Sequence, residues 1–257
     1  MNMSTYIGID IGSTCAKAVV LNNNKEIVCR IIRPTGWSSV KVAEEIIAEL
    51  KEAGIHTDAA RIVATGYGRV NVPYADKAVT EISCHALGAT HIFGGENLLV
   101  IDIGGQDTKV IEVAEGNVSD FLMNDKCSAG TGRFLEVMAN TLSMEPRDMC
   151  ELARHGADTT ISSLCTVFAE SEVIGLIGRG ESKENIAYAI IESIADKVVS
   201  QASHMTMADK RVVVTGGLCD YDYLIEAIGH KLKVDVISNE DARYAGAIGA
   251  ALLAMRF

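Results

Sequence analysis

Short aliphatic runs alternate with glycine turns and one-sided helical stretches along this chain, and one such arrangement occurs twice. Ile9-Asp10-Ile11-Gly12-Ser13-Thr14 returns as Ile101-Asp102-Ile103-Gly104-Gly105-Gln106-Asp107. An aliphatic strand precedes each copy. Past a lysine (Lys17, Lys109) a second strand follows, Ala18-Val19-Val20-Leu21 in one case and Val110-Ile111-Glu112-Val113 in the other. Strand, glycine turn, strand reads as a hairpin, and two copies predict two domains of common design. A duplication of this length is not a solenoid repeat.

Apolar residues at 43, 46, 47 and 50 predict a helix over 40–53 that stops at Gly54. Arg61 to Gly68 reads as a strand entering a glycine loop, and Glu81 to Phe93 as a mostly buried helix. Gly94-Gly95 is the best boundary, giving domains 1–94 and 95–257, with the option that the C-terminal helix packs back on the first. In the second half, helices are expected over 133–142, 169–177 and 185–205. A strand over 211–215 runs into Gly216-Gly217, and a small-residue helix over 244–255 closes the chain. Strands and helices interleave, so the fold class is α/β.

Composition narrows the function. Hydrophobic residues are 48% and aromatics 5% of the 257 residues, so the core is aliphatic, as buried strands of an α/β sheet require. A net charge of −11 without a basic cluster argues against a nucleic-acid partner. No apolar run approaches the roughly 20 residues of a membrane span, and Met1 to Thr5 runs straight into a strand without a secretory leader. A cytoplasmic location is expected, in which the seven cysteines are thiols or metal ligands. No CxxC is present, which excludes a self-contained zinc ribbon or ferredoxin-type site.

The two Asp-Ile-Gly turns carry the first chemistry. Gly12, Ser13 and Thr14 present backbone N–H groups and hydroxyls to a phosphate, because glycine lets the backbone approach closely. Lys17 adds a point charge. Asp10, Asp102 and Asp107 would hold Mg²⁺ through waters or position the attacking water. Ordinary Asp-Gly turn chemistry is the competing reading of either copy alone; the echo and a third glycine turn, Thr215-Gly216-Gly217, tell against it. These three elements resemble the ASKHA superfamily of actin, sugar kinases and Hsp70. The resemblance implies two actin-like, ribonuclease H-like domains around a cleft that takes ATP or ADP with Mg²⁺. It places nucleotide contacts at Gly12 to Cys15, Lys17, Gly104, Gly105, Gly130, Gly216, Gly217 and Arg243, with Asp10, Asp102, Gln106 and Asp107 as catalytic candidates.

Two cysteine contexts carry the second. Cys127 lies in Asn124-Asp125-Lys126-Cys127-Ser128-Ala129-Gly130-Thr131-Gly132-Arg133-Phe134, a glycine-rich loop leading to a helix. Cys165 has polar residues before it and a helix after it, in Ser162 to Glu172. A thiolate near a helix N-terminus is favoured by unpaired N–H groups and by the dipole. Two such cysteines cannot complete a four-thiolate set, but a symmetric dimer doubles them. Taken singly, each is as readily a small buried hydrophobe.

Ala64-Thr65-Gly66-Tyr67-Gly68-Arg69, Glu81 to Ala86, Ile101 to Asp107, Met123 to Phe134 and Cys165 to Glu172 together resemble the activators of 2-hydroxyacyl-CoA dehydratases and the ATPase subunits of benzoyl-CoA reductase. That resemblance implies a homodimer with one [4Fe–4S] cluster held by Cys127 and Cys165 of each copy. It implies reduced ferredoxin or flavodoxin as donor, and ATP-gated delivery of an electron to an iron–sulfur acceptor, a 2-hydroxyacyl-CoA dehydratase or a double-cubane cluster protein. Where the family pattern carries glutamine before the last helix, this chain has Arg243. Cys84 and Cys29 are expected in the core, Cys150 and Cys219 as exposed, oxidisable thiols, and His85 and His91 as packed or solvated. A small-molecule kinase of the same superfamily and a redox-inert ATPase module are the competing functions.

Overall fold

The structure, a computed structural model, describes residues 5–162 and 165–257. Met1 to Ser4, where the absence of a leader was expected, and Ser163-Leu164, within the stretch leading to Cys165, lie outside the described residues. The chain divides into two units. One comprises the residues up to Leu98 with Val113–Ser119 and Asp241–Phe257, and the other Leu99–Glu112 with Asp120–Glu240.

In the first unit a five-stranded sheet has the order β3-β2-β1-β4-β5. Its strands are β1 (Tyr6–Ile11), β2 (Cys15–Leu21), β3 (Ile27–Pro34), β4 (Arg61–Thr65) and β5 (Lys77–Ala78). β1 pairs antiparallel with β2 and parallel with β4. Alternation along β1 decides what each face meets. Ile7, Ile9 and Ile11 pack with Val42, Ala43, Ile46 and Leu50 of helix α1 (Ser39–Glu52). The other face carries Gly8 and Asp10, and against it lie α2 (Glu81–Phe93) and α8 (Ala245–Ala254). Val19 and Leu21 join Ala247, Ile248 and Ala251 there. Both faces of the strands are covered, so they read as continuous aliphatic runs.

The second unit repeats the plan with the order β10-β9-β6-β7-β8. Here β6 is Leu98–Ile103, β7 Thr108–Ala114, β8 Asn117–Asn124, β9 Arg211–Gly216 and β10 Val236–Ile237. The helices are α3 (Gly132–Thr141), α4 (Pro146–Ala153), α5 (Thr166–Gly178), α6 (Lys183–Ala202) and α7 (Asp222–Leu232). α6 packs against α4 and α7 and buries Ile186, Ile190, Ile194 and Val198. Its start at Lys183, ahead of the expected residue 185, follows from Ser182, whose Oγ accepts from the Asn185 N–H at 3.2 Å as an N-cap. The segments now seen as α4, α7 and β8 were not expected as elements.

Candidate functional site

Each unit builds its glycine turn with the same atoms. Gly12 N–H donates to Cys15 O at 3.1 Å, and Gly104 N–H to Asp107 O at 2.9 Å, which leaves Ser13-Thr14 and Gly105-Gln106 as two-residue tips. Thr14 and Gln106 are exposed there. The first turn is pinned from β3, since Thr35 N–H donates to Thr14 O at 2.8 Å and Thr35 Oγ1 donates to Gly12 O at 2.7 Å. Behind each tip lies an aspartate near the end of its strand, Asp10 and Asp102, both buried.

A glycine on the neighbouring strand or just past it shields each aspartate. Gly66 has φ +83°, and a Cβ there would lie 2.5 Å from both Asp10 Oδ1 and Ile11 O. Gly216 has φ +90°, and its Cβ would lie 2.5 Å from Asp102 Oδ1 and Ile103 O. Thr65-Gly66 is therefore the structural counterpart of Thr215-Gly216. Only the latter figures among the expected nucleotide contacts, although the signal was legible: both follow an aliphatic strand, Ile62-Val63-Ala64 and Val212-Val213-Val214.

The two aspartates differ in what compensates them. Asp102 accepts from Lys109 Nζ at 3.3 Å and from Thr215 Oγ1 at 3.2 Å, and Lys109 also sits 2.6 Å from Asp107. Lys109 is buried between the two carboxylates. Lysine was read at this position only as part of the echo, because nothing in local sequence signals its burial. Lys17 stands opposite Asp10 in register, on the same face of the first sheet. Thr65, in register with Asp10 across β1 and β4, is fully buried, and its side chain bonds to the Cys84 thiol of α2. Arg243 lies in the 3-10 turn Ala242–Tyr244 of the first unit, whereas Gly216 and Gly217 belong to the second.

The second turn is bonded to the Cys127 loop. Gly132 N–H donates to Gly104 O at 2.9 Å and Arg133 N–H to Gly105 O at 2.8 Å, so the first amides of α3 grip the turn. Thr108 Oγ1 donates to Gly130 O at 2.8 Å, and Asn124 Nδ2 to Cys127 O at 3.0 Å. Gly130, at φ +84° and against Lys197, shapes this loop. Ser128 Oγ and Thr166 Oγ1, one residue past Cys127 and Cys165, share a hydrogen bond of 2.7 Å. The structure thus brings the two cysteine-bearing loops together and ties them to the second turn.

Two cysteine expectations need correction. The first amides of α3 serve the glycine turn instead of Cys127, which lies four residues ahead of the N-cap Thr131; the dipole argument holds for Cys165, itself the N-cap of α5. Cys150 and Cys219 are not exposed thiols. Both are buried, Cys150 on the inner face of α4, where loss of hydration pushes its thiol up to about 12. Burial likewise pushes Cys84 up to about 12 and raises Cys29. Thiols held so high as Cys84 and Cys150 make poor metal ligands, whereas Cys165 is exposed and Cys127 partly so. No disulfide joins the described cysteines, and no group of three or more metal-ligating side chains occurs among the described residues.

Residues 7–254 match the model of the BadF/BadG/BcrA/BcrD ATPase family. The chain belongs to this family of ATPases. It is 44% identical, over 99% of its own length and 98% of the relative's, to the (R)-2-hydroxyglutaryl-CoA dehydratase activating ATPase of Acidaminococcus fermentans. The activator of 2-hydroxyisocaproyl-CoA dehydratase from Clostridium difficile, solved with bound ADPNP, superposes with a TM-score of 0.91 at 36% identity, covering 98% of this chain and 94% of that one. A ROK-family glucokinase from Streptomyces griseus, at 16% identity and a TM-score of 0.62 over 99% of this chain and 100% of its own, shares the fold alone. The fold is accordingly actin-like. No helix among the described residues is long and apolar enough to cross a membrane.

Proposed function

We propose that this ATPase is an activator that drives single electrons into a partner iron–sulfur enzyme of the 2-hydroxyacyl-CoA dehydratase type. The observation that carries the reading is the bonded path from the Gly104-Gly105 turn through Gly132 and Gly130 to Cys127, and across Ser128–Thr166 to Cys165. A turn that senses phosphate and a pair of thiols that can hold iron share one hydrogen-bonded framework. Relatives that bear the names of dehydratase activators, one of them solved with ADPNP, support it.

The ligand chemistry fits. Cys127 and Cys165 are soft donors on adjoined loops, two short of a [4Fe–4S] set, and a second copy of the chain supplies the other pair. When bound, such a cluster accepts and releases one electron at low potential. α5 supports a homodimer at this point. It buries only Ala169 and Val173 and leaves Val167, Phe168, Ile174 and Ile177 exposed, the first two, next to Cys165, at 66% each. An unpartnered apolar face beside a half-complete ligand set suits a subunit contact. Reduced ferredoxin or flavodoxin is the proposed donor, and the cytoplasm the proposed compartment; nucleic acid and membrane have no part.

At the nucleotide, Gly12 to Cys15 and Gly104 to Gln106 offer backbone amides to the phosphates, with Lys17 as a point charge. Gly130, Gly216, Gly217 and Arg243 complete the proposed contacts. Asp10, Asp102 and Asp107 supply the hard oxygen ligands that Mg²⁺ requires, directly or through water, and Gln106 orients the attacking water from its exposed tip.

Protein purified without air is expected to hold about four irons and four sulfides per two chains. Cys127→Ser or Cys165→Ser should abolish that content while ADPNP binding persists. Colourless wild-type protein that phosphorylates a small molecule would instead make it a kinase. Ser128→Ala removes the bond between the cysteine loops. It is expected to cost about 1 kcal/mol and to speed iron loss to a chelator several-fold, followed by the bleaching of the visible absorbance, with ATP affinity unchanged.

A further inference from the structure

The echo between the units isolates one difference. In the second unit a buried donor holds each oxygen of Asp102: Thr215 Oγ1 on Oδ1 and Lys109 Nζ on Oδ2. In the first, Oδ1 of Asp10 faces Gly66, and the group aimed at Oδ2 is the imidazole of His85, with Nε2 at 4.0 Å. His85 is 4% exposed on α2 and thus comes from an element with no counterpart in the Lys109 arrangement. Room for the pair is made by Gly246 of α8. A Cβ there would lie 2.6 Å from Asp10 Oδ2 and 2.9 Å from His85 Nε2, so any other residue would wedge the two apart. A glycine at the head of α8, facing both groups at once, makes this juxtaposition possible.

We propose that His85 is a positioning residue for nucleotide hydrolysis: its ring N–H holds the Asp10 carboxylate in the orientation that serves the metal–nucleotide. The inference rests on the reading of Asp10 as part of the Mg²⁺–ATP machinery. The 4.0 Å separation closes to a hydrogen bond with a shift of roughly 1 Å. Such a bond fixes which carboxylate oxygen is turned toward the ligand and which toward the protein, as outer-shell partners of metal-binding carboxylates do. Where Lys109 lies 3.3 Å from Asp102, the imidazole of His85 lies 4.0 Å from Asp10.

Side-chain reach makes the test specific. The amide of His85→Gln ends near the station of Nε2, whereas that of His85→Asn ends near Nδ1 and falls short of Asp10. In the full-length holoprotein with a non-hydrolysable ATP analogue, Mn²⁺ binding is measured by paramagnetic resonance, alongside metal-free nucleotide affinity, kcat, and thermal unfolding. His85→Asn is expected to weaken Mn²⁺ binding and lower kcat by about 10-fold or more, with metal-free nucleotide affinity within about twofold of wild type. His85→Gln should recover most of both losses. Wild-type Mn²⁺ binding in His85→Asn overturns the inference. So does an equal loss in both variants that tracks a lowered Tm and weakened metal-free nucleotide binding, the pattern of a packing role. Asp10→Asn separates the two layers: if it abolishes Mn²⁺ binding while His85→Asn does not, the positioning role alone falls, and if it changes nothing, the reading of Asp10 falls with it.

Discussion

Lys109→Met is expected to lose about 3–5 kcal/mol of stability, the cost of removing one partner from a buried ion pair. Lys109 is 2% exposed and lies 3.3 Å from Asp102 and 2.6 Å from Asp107. Methionine keeps the bulk of the aliphatic stem, so little packing is lost and the effect is electrostatic. Without the ammonium, two buried carboxylates lose the lysine they share, and both lie under the Gly104-Gly105 turn. Their combined charge would also repel an incoming phosphate, so nucleotide affinity should fall with stability. Urea denaturation followed by circular dichroism gives the first quantity and a fluorescent ATP analogue the second. The double variant Lys109→Met with Asp107→Asn should regain part of the stability, because one of the two facing carboxylate charges goes with it. If Lys109→Met unfolds at the wild-type urea concentration, the triad does not hold this turn in place.

That triad shows where sequence reading stops. The two hairpins and the strand into Gly216 were legible as aliphatic runs ending in glycine turns, and the helices over α1, α2 and α6 by their runs of apolar residues. The functional turns were legible because glycine and aspartate recur in order. Lys109 was visible as a letter of the echo and its burial was not, since a lysine on a strand is ordinarily a solvated face; only the pairing of β6 with β7 places it behind the turn. β8 escaped because all but its last residue are exposed, including Phe121, Leu122 and Met123, so no alternation marks it. α4 has only eight residues, and with it and α7 unrecognised Cys150 and Cys219 had no helix to pack with. A cysteine beside an unrecognised helix looks like a loop thiol, when Cys150 in fact shares the inner face of α4 with Met149 and Ala153. The adjacency of Cys127 and Cys165 followed from a family resemblance. Its physical cause, the Ser128–Thr166 hydrogen bond across 38 residues of chain, is a tertiary fact that no local pattern encodes.

Gly249→Ala is the second change expected to act strongly, and on the first unit. α8 is a helix of alanine, glycine, leucine and isoleucine that lies unusually close to its neighbours. A Cβ on Gly249 would overlap the carbonyl oxygen of Cys84 in α2; one on Gly88 of α2 would overlap Ala245 O; one on Gly8 of β1 would overlap Ala247 O. Three backbone-to-backbone approaches, each through a glycine, hold α8 against α2 and the sheet. The obstructing atoms are main-chain carbonyls, which cannot swing aside as a side chain can, so one methyl forces two helices apart. Alanine gains about 1 kcal/mol over glycine as a helix former, and an overpacked core loses about 1–3 kcal/mol, more where backbone must move. A net loss of about 2 kcal/mol or more is therefore expected by chemical denaturation, from the upper end of that range. The functional consequence follows from the same geometry. α8 also carries Gly246, against Asp10 and His85, so a helix displaced at Gly249 shifts the wall behind the first glycine turn. Gly249→Ala should consequently weaken nucleotide binding as well as stability, although residue 249 touches neither Asp10 nor the turn. A variant with unchanged denaturation midpoint would mean that α8 slides freely over α2, and that the glycines serve no close packing.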